Sequence, residues 1–175
     1  MNSKHPLIAK YVNEDWSVNW PADLTERREP ARLVLGAWLV GKQDTWIKTA
    51  QDLMEHPKPR HPYPRNHKAS EKDKAYRDVL STLLSEQKQT CLRLVREVAN
   101  KVLFSMLVTF DQIKYGRVAL QIVLDFDDTG RQEVIEITQT DNDLHEDLFH
   151  WVELFSGFAD EYKQDLEAVF DLPAS

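Results

Sequence analysis

The chain of 175 residues has one cysteine, few glycines and no long apolar run. The single Cys91 excludes an internal disulfide and a metal cage built from thiolates, and we expect it to be a buried, inert thiol. The five glycines are scattered, which excludes a glycine-rich phosphate-binding loop. No segment reaches the roughly 18 consecutive apolar residues of a membrane span, and residues 1–10 lack the apolar core of a signal peptide. We therefore expect one cytoplasmic domain, residues 1–175, with no membrane partner.

Basic residues are scarce in the last third of the chain. From Leu124 to Ser175 there are fifteen Asp and Glu residues but only two basic residues, Arg131 and Lys163, which gives a net charge of −13. The whole chain carries −7, so the first 123 residues carry +6. An acidic surface attracts basic partners and speeds their encounter. The charge distribution favours a basic protein partner, and the plain alternative is a solvated surface that binds nothing.

Apolar residues recur every three or four positions over much of the chain, which predicts helices. We expect a first helix to start near Pro30, with Gly36 and Gly41 separating it from a second one. Residues 56–69 contain four of the eight prolines and no acid, which predicts an exposed basic loop rich in proline and histidine. An apolar stripe then runs from residue 70 to residue 110. This stripe predicts a long central helix or a bent helix pair.

The apolar period changes to two after residue 117. Apolar residues alternate along residues 118–126 and again along residues 135–137, on either side of an Asp/Gly turn. This pattern predicts an antiparallel β-hairpin whose apolar face packs against the long central helix. Helical spacing returns over residues 142–170, interrupted at Ser156 and Gly157. The predicted fold class is α+β: a predominantly helical single domain with one hairpin.

The segment VLDFDDT, residues 123–129, resembles the nucleophile motif of the haloacid dehalogenase-type phosphatases. The resemblance implies a nucleophilic Asp125, an acid/base Asp127 and a nearby Thr129, with magnesium bound beside them. In that family an α/β sheet with further catalytic residues follows the motif. Here the residues after Asp125 have the pattern of one strand followed by helices.

The same segment also matches part of a calcium-binding EF-hand loop. Asp125, Asp127, Thr129, Gly130 and Glu136 fall at its first, third, fifth, sixth and twelfth positions. An EF-hand loop lies between two helices, whereas the flanking residues here have strand periodicity. Asp and Gly are also what a tight turn demands. We favour the turn and keep a divalent-metal site at Asp125, Asp127 and Glu136 as the alternative.

The segment HEDLFH, from His145 to His150, differs by one residue from the zinc-protease motif HExxH. Histidines five apart diverge by about 140° around a helix, so one ion cannot easily be held by both. Glu146 and His150 are four apart, and we expect a surface ion pair between them. A metal site would need ligands from elsewhere, such as Asp141 or Asp143.

The loop of residues 56–69 could contact an anionic partner. It contains three histidines but no carboxylate or thiolate ligand, so zinc is a weaker hypothesis there. Nucleic acid is disfavoured by the overall acidity of the chain. The basic and aromatic residues that could make such a contact are Lys58, Arg60, Tyr63, Arg65 and Lys68.

The sequence favours a non-catalytic protein-binding protein that presents its acidic C-terminal third to a basic partner. A narrower version is an inhibitor or immunity-type antitoxin that neutralises a basic toxin or nuclease. The alternative is a divalent-metal-dependent hydrolase or phosphotransfer enzyme that uses Asp125 and Asp127, with His145 or Glu146. We expect no cofactor. The candidate partner-binding residues are Asp125, Asp127, Asp128, Glu136, Asp141, Asp143, Glu146, Asp147 and Glu153.

Overall fold

A computed structural model describes Pro21, Asp23 and residues 26–57, 67–112, 120–126, 131–138 and 143–170. The described residues form five helices and one two-stranded antiparallel sheet, which confirms the predicted α+β class. In chain order the elements are α1 (Arg28–Glu55), α2 (His67–Thr82), α3 (Ser85–Asp111), β1 (Gln121–Phe126), β2 (Arg131–Glu136), α4 (Leu144–Phe155) and α5 (Ala159–Phe170).

The first described helix, α1, is continuous over 28 residues, where the sequence predicted two helices. Pro30 lies in its first turn, where a missing amide donor costs nothing. Gly36 is buried against Trp151 of α4, while a Cβ on Gly41 would have nothing within 4 Å. Each glycine costs a helix only about 1 kcal/mol. Packing of α1 against α2, α3, α4 and β2 outweighs that cost and keeps the helix in one piece.

The predicted long central helix is a bent pair, α2 and α3, with the break at Leu83 and Leu84. The hydroxyls of Ser81 and Thr82 donate to carbonyl oxygens three residues back and compete with the helical ladder, which helps to end α2. The helix α3 begins directly after Leu84. The side-chain oxygen of Gln87 accepts the Leu84 amide proton at 2.9 Å and caps this helix start. The apolar stripe alone gave no sign of which of the two predicted forms would occur.

The predicted hairpin is confirmed, and its register assigns its two faces. Ile122 pairs with Ile135 on the inner face, and Val123 pairs with Val134 on the outer face. Ile135 is buried, whereas both valines are exposed. The strand β2 contacts α1, and Ile135 and Ile137 lie in the same core cluster as Leu103 and Leu107 of α3. The apolar face of the hairpin thus shares one core with α1 and with the central helix α3.

One hydrophobic core joins these elements. Its residues come from the hairpin and from every helix except α2. The fully buried members include Ile47, Leu107, Ile137, Leu148 and Trp151. The interruption predicted at Ser156 and Gly157 separates α4 from α5. Among the described residues, no helix combines the length and the apolar character that crossing a bilayer requires.

Candidate functional site

The helix α4 has one buried face and one exposed face. Its inner residues, among them Leu148 and Trp151, pack against α1 and α3. Its outer residues are spaced three and four apart, so they lie on one side of the helix. We call this surface the acidic α4 face; it consists of Asp143, Glu146, Phe149, His150 and Glu153, all exposed.

The first turn of α4 is held by a carboxylate from another helix. Asp111, the last residue of α3, accepts the amide protons of Leu144 at 3.1 Å and of His145 at 3.0 Å. Its side chain is only 3% exposed. The helix-terminal amides that normally require a cap are thereby satisfied by Asp111. Asp143, at the N-cap position itself, makes no side-chain capping bond.

A buried ion pair fixes the same helix to α1. The Arg32 Nε donates to Asp147 Oδ2 at 2.7 Å, and its Nη2 donates to the carbonyl oxygen of Asp143 at 3.0 Å. Arg32 is buried although it is charged. Such a pair sets geometry, since loss of one partner leaves the other charge uncompensated in the interior. Together with Asp111, it determines which side of α4 faces solvent.

The turn between α4 and α5 is also anchored by a carboxylate of α1. Asp44 Oδ1 accepts the Ser156 hydroxyl proton at 2.8 Å, and Asp44 Oδ2 accepts the Gly157 amide proton at 2.6 Å. Burial raises the pKa of Asp44 above its usual value, and these two hydrogen bonds oppose that rise.

An ion pair joins α5 to α3. Arg96 of α3 donates to both carboxylate oxygens of Asp165 in α5, at 2.8 and 3.1 Å.

An aromatic group joins the acidic α4 face to α3. The ring of Phe104 packs edge-on against His145, with ring centroids 5.3 Å apart, and lies 6.0 Å from the ring of Phe149. Phe149 is nevertheless 53% exposed. Phe149 is thus an aromatic side chain that is about half exposed and packs on a second ring. Aromatic residues of this kind commonly anchor protein interfaces.

Three potential metal ligands meet at the start of α4. Ligand atoms of Asp111, Asp143 and His145 all lie within 4.8 Å of one another. His145 Nδ1 is 2.8 Å from Asp111 Oδ2 and 4.0 Å from Asp143 Oδ2. A histidine nitrogen and two carboxylate oxygens are a ligand set that zinc accepts, with the fourth position left for water. The sequence named Asp143 and His145 for such a site but missed Asp111.

The predicted acidic residues fall into two groups. Asp143, Glu146 and Glu153 are exposed on α4, whereas Asp147 is committed to its ion pair with Arg32. Among the described residues, the expected ion pair between Glu146 and His150 is absent; His145 Nδ1 instead contacts Asp111 Oδ2, and Asp147 pairs with Arg32. The fixed orientation of His145 follows from the capping role of Asp111.

The hairpin register separates the backbone positions of Asp125 and Glu136, which the EF-hand comparison brought together. Asp125 pairs with Gln132 in the sheet, and Glu136 stands four residues further along β2. At about 3.3 Å per residue this is a separation of about 13 Å along the strand. The strands on both sides also differ from the helices that flank an EF-hand loop. Three further predicted acids, Asp127, Asp128 and Asp141, lie outside the described residues.

The predicted basic loop is shorter than residues 56–69, because α2 begins at His67 and not at residue 70. Its loop part lies mostly outside the described residues, including Lys58, Arg60, Tyr63 and Arg65. Lys68 belongs to α2. The hypothesis of an anionic partner for this segment stays a prediction.

Sequence patterns could have identified some of the missed residues. Asp111 follows the last apolar residue of the central stripe, where a helix end is expected, but nothing in the pattern shows that it reaches α4. Arg32 lies next to apolar residues in the first helix, and a charge on a buried face signals a partner elsewhere. Phe149 stands among acids at helical spacing, which is visible in the sequence itself.

No family model, no curated protein and no solved structure matches this chain. The function is therefore argued from the geometry of its own residues.

Proposed function

We propose that this chain is a non-catalytic protein-binding protein of the cytoplasm that presents the acidic α4 face to a basic protein. The narrower form of the proposal is an inhibitor or immunity-type antitoxin that neutralises a basic toxin or nuclease. A single cysteine without a disulfide partner suits a reducing compartment.

The observation that carries the proposal is the exposed ring of Phe149 between acidic side chains. Glu146 precedes it by three residues and Glu153 follows it by four, so both flank it on the helix surface. Interfaces commonly combine a central aromatic anchor with a polar rim that excludes water. In this arrangement Phe149 supplies affinity, and the carboxylates supply steering and partner choice.

The rigidity of α4 supports the same role. Its N-terminus is fixed by Asp111, and its inner face is fixed by Arg32 and the core. A helix whose backbone is already fixed adds no backbone-ordering cost on binding. The outer residues are therefore attached at fixed positions on the surface before a partner arrives.

Capture of the partner from native lysate tests the proposal. The tagged protein is used as bait at low salt, the bound fraction is eluted at high salt, and the eluate is identified by mass spectrometry. We expect a stoichiometric basic protein whose capture is lost with F149A and weakened with E146Q/E153Q. The matched control is W46A, since Trp46 on α1 is an even more exposed aromatic residue. Capture that is unaffected by salt, or equal for wild type and F149A, would overturn the proposal.

The Asp111, Asp143 and His145 cluster supports a second candidate function, the binding of a divalent metal in a hydrolytic site. Its ligand spacing is the observation in favour. The Asp111 carboxylate accepts two amide protons and contacts His145 Nδ1, so a metal would have to displace the histidine contact. That competition is why protein binding is the leading proposal.

Calorimetric titration distinguishes the two candidates. A zinc site here predicts saturable binding of one ion that H145Q abolishes and H150Q leaves unchanged, because His150 is outside the cluster. Loss of binding with D125N/D127N, and not with H145Q, would instead place the metal at the hairpin turn. No saturable heat with zinc, magnesium or calcium would exclude the metal candidate.

A further inference from the structure

A stripe of large apolar side chains runs along the outer side of α3. Its members follow one another at intervals of four residues, so they form a continuous ridge on the helix surface. We call it the α3 stripe; it consists of Leu94, Val98, Val102 and Met106, which are 58%, 50%, 64% and 38% exposed.

The opposite side of α3 already belongs to the core. Leu103 and Leu107 are buried there in the core cluster shared with α1 and α4, and Leu92 is buried nearer the start of the helix. The helix is thus apolar on two faces, and the helices packed on it cover one of them. A helix with a polar outer face is the normal case for a solvent-facing position. Contiguous exposed apolar side chains of this kind mark an interaction surface.

We propose that the α3 stripe is the interface with a second copy of this chain, related by a two-fold axis. A ridge of residues four apart packs into the grooves beside an identical ridge in the commonest class of helix packing. The stripe is therefore complementary to itself. An axis near Ala99 and Asn100 places Val98 against Val102 of the second copy, and Val102 against Val98.

The charges beside the stripe match the same axis. Glu97 and Lys101 lie along one edge of it and form an ion pair at 2.6 Å within the helix. In a two-fold antiparallel pair, each edge of the stripe meets the same edge of the other copy. Glu97 then faces Lys101 of the second copy, and Lys101 faces its Glu97. A parallel pair would not bring these two opposite charges together.

The interface is of modest size. Four apolar residues are fewer than the roughly 20–30 residues per side of a standard stable interface. The dimer is therefore concentration-dependent and dissociates at low protein concentration. It involves α3 alone, so it neither requires the acidic α4 face nor rests on the function proposed for it.

Sedimentation equilibrium of the full chain from about 1 µM to 1 mM tests the inference. We expect the weight-average mass to rise toward twice that of the monomer, and V98E/V102E to remain monomeric across the range. V79E is the matched control, because Val79 on α2 is equally exposed but outside the stripe. Melting curves of both variants verify that they remain folded. A wild-type protein that is monomeric throughout, as when another segment of the chain covers the stripe, would overturn the inference.

Charge reversal tests the orientation of the two copies. E97K places like charges together at the edge and should weaken the dimer at least tenfold, whereas E97K/K101E restores opposite charges across it and should recover wild-type affinity. K88E is the control for a charge change on α3 away from this edge. A double variant as weak as E97K, or no response to either change, would rule out the two-fold antiparallel arrangement.

Discussion

Gly36 of α1 lies directly against the indole ring of Trp151 of α4, with no side chain between helix backbone and ring. A Cβ atom at this position would lie well inside van der Waals contact with three atoms of the ring. Trp151 is among the fully buried side chains and cannot move outward. The missing Cβ of Gly36 therefore sets how closely α1 and α4 approach.

G36A should destabilise the fold even though alanine is the better helix former. Overpacking of a closed core costs about 1–3 kcal/mol, which exceeds the gain of about 1 kcal/mol in helix propensity. We expect the free energy of unfolding, measured by urea denaturation, to fall by about 1 kcal/mol. G41A is the control in the same helix, and should be stabilised by about 0.5–1 kcal/mol because nothing lies within 4 Å of the new methyl group. Equal effects of the two substitutions would contradict this packing argument.

Removal of the Asp111 carboxylate should destabilise the protein more than removal of the N-cap side chain of α4. D111A leaves two amide donors of α4 and the His145 ring without their acceptor, a loss of about 2 kcal/mol. D143A should cost less than about 0.5 kcal/mol, because Asp143 is exposed and makes no side-chain capping bond. Urea denaturation of both variants measures the difference. The reverse order would show that Asp143 is the true cap.

D147A should cost about 2 kcal/mol, since it removes the carboxylate that the buried guanidinium of Arg32 contacts at 2.7 Å. E153A removes an acid from the same helix and should change stability by less than about 0.5 kcal/mol. Thermal and urea unfolding of the two variants give the comparison. A similar loss for both would indicate that the net charge of α4, and not the ion pair, governs stability.

The raised pKa of Asp44 predicts a pH dependence that D44N removes. Below the usual pKa of 3.8 the carboxyl is neutral in both folded and unfolded chains, and its burial carries no charge penalty. As the pH rises through the higher folded-state pKa, the ionised form is disfavoured in the folded protein. We expect the stability of the wild type relative to D44N to fall as the pH rises above 3.8 and to level off above the folded-state pKa. A relative stability that is constant or rises with pH would contradict the prediction.

The sequence predicted the helices and strands better than it predicted the contacts between them. Periods of four and two located the central helices, the hairpin and the C-terminal helices, because each depends on residues near one another in the chain. It failed at Gly36, since the reason for that glycine is a ring more than a hundred residues away. It also gave no sign that α1 contacts the hairpin, because periodicity identifies an apolar face but not every surface that covers it.

The uneven charge distribution along the chain also shows that sequence patterns do not identify tertiary contacts. The sequence assigned the excess acids of the last third to an external partner. Two of them instead pair with arginines of the basic part: Asp147 with Arg32, and Asp165 with Arg96. Among the described residues of α4, the acids left exposed are Glu146 and Glu153, with Phe149 between them. Burial of the arginines, which separates the two groups, is a property of the tertiary fold.

The pairing of Arg32 with Asp147 joins positions 115 residues apart. At a synthesis rate of about 5–20 residues per second, α1 leaves the ribosome on the order of ten seconds before α4 exists. Throughout that time α2 and α3 can pack on α1, but the Arg32 guanidinium and the gap at Gly36 lack the α4 residues that they contact in the folded protein. Completion of the domain therefore waits for its C-terminal helices, and a nascent chain stalled before residue 144 should be a substrate for chaperones and proteases.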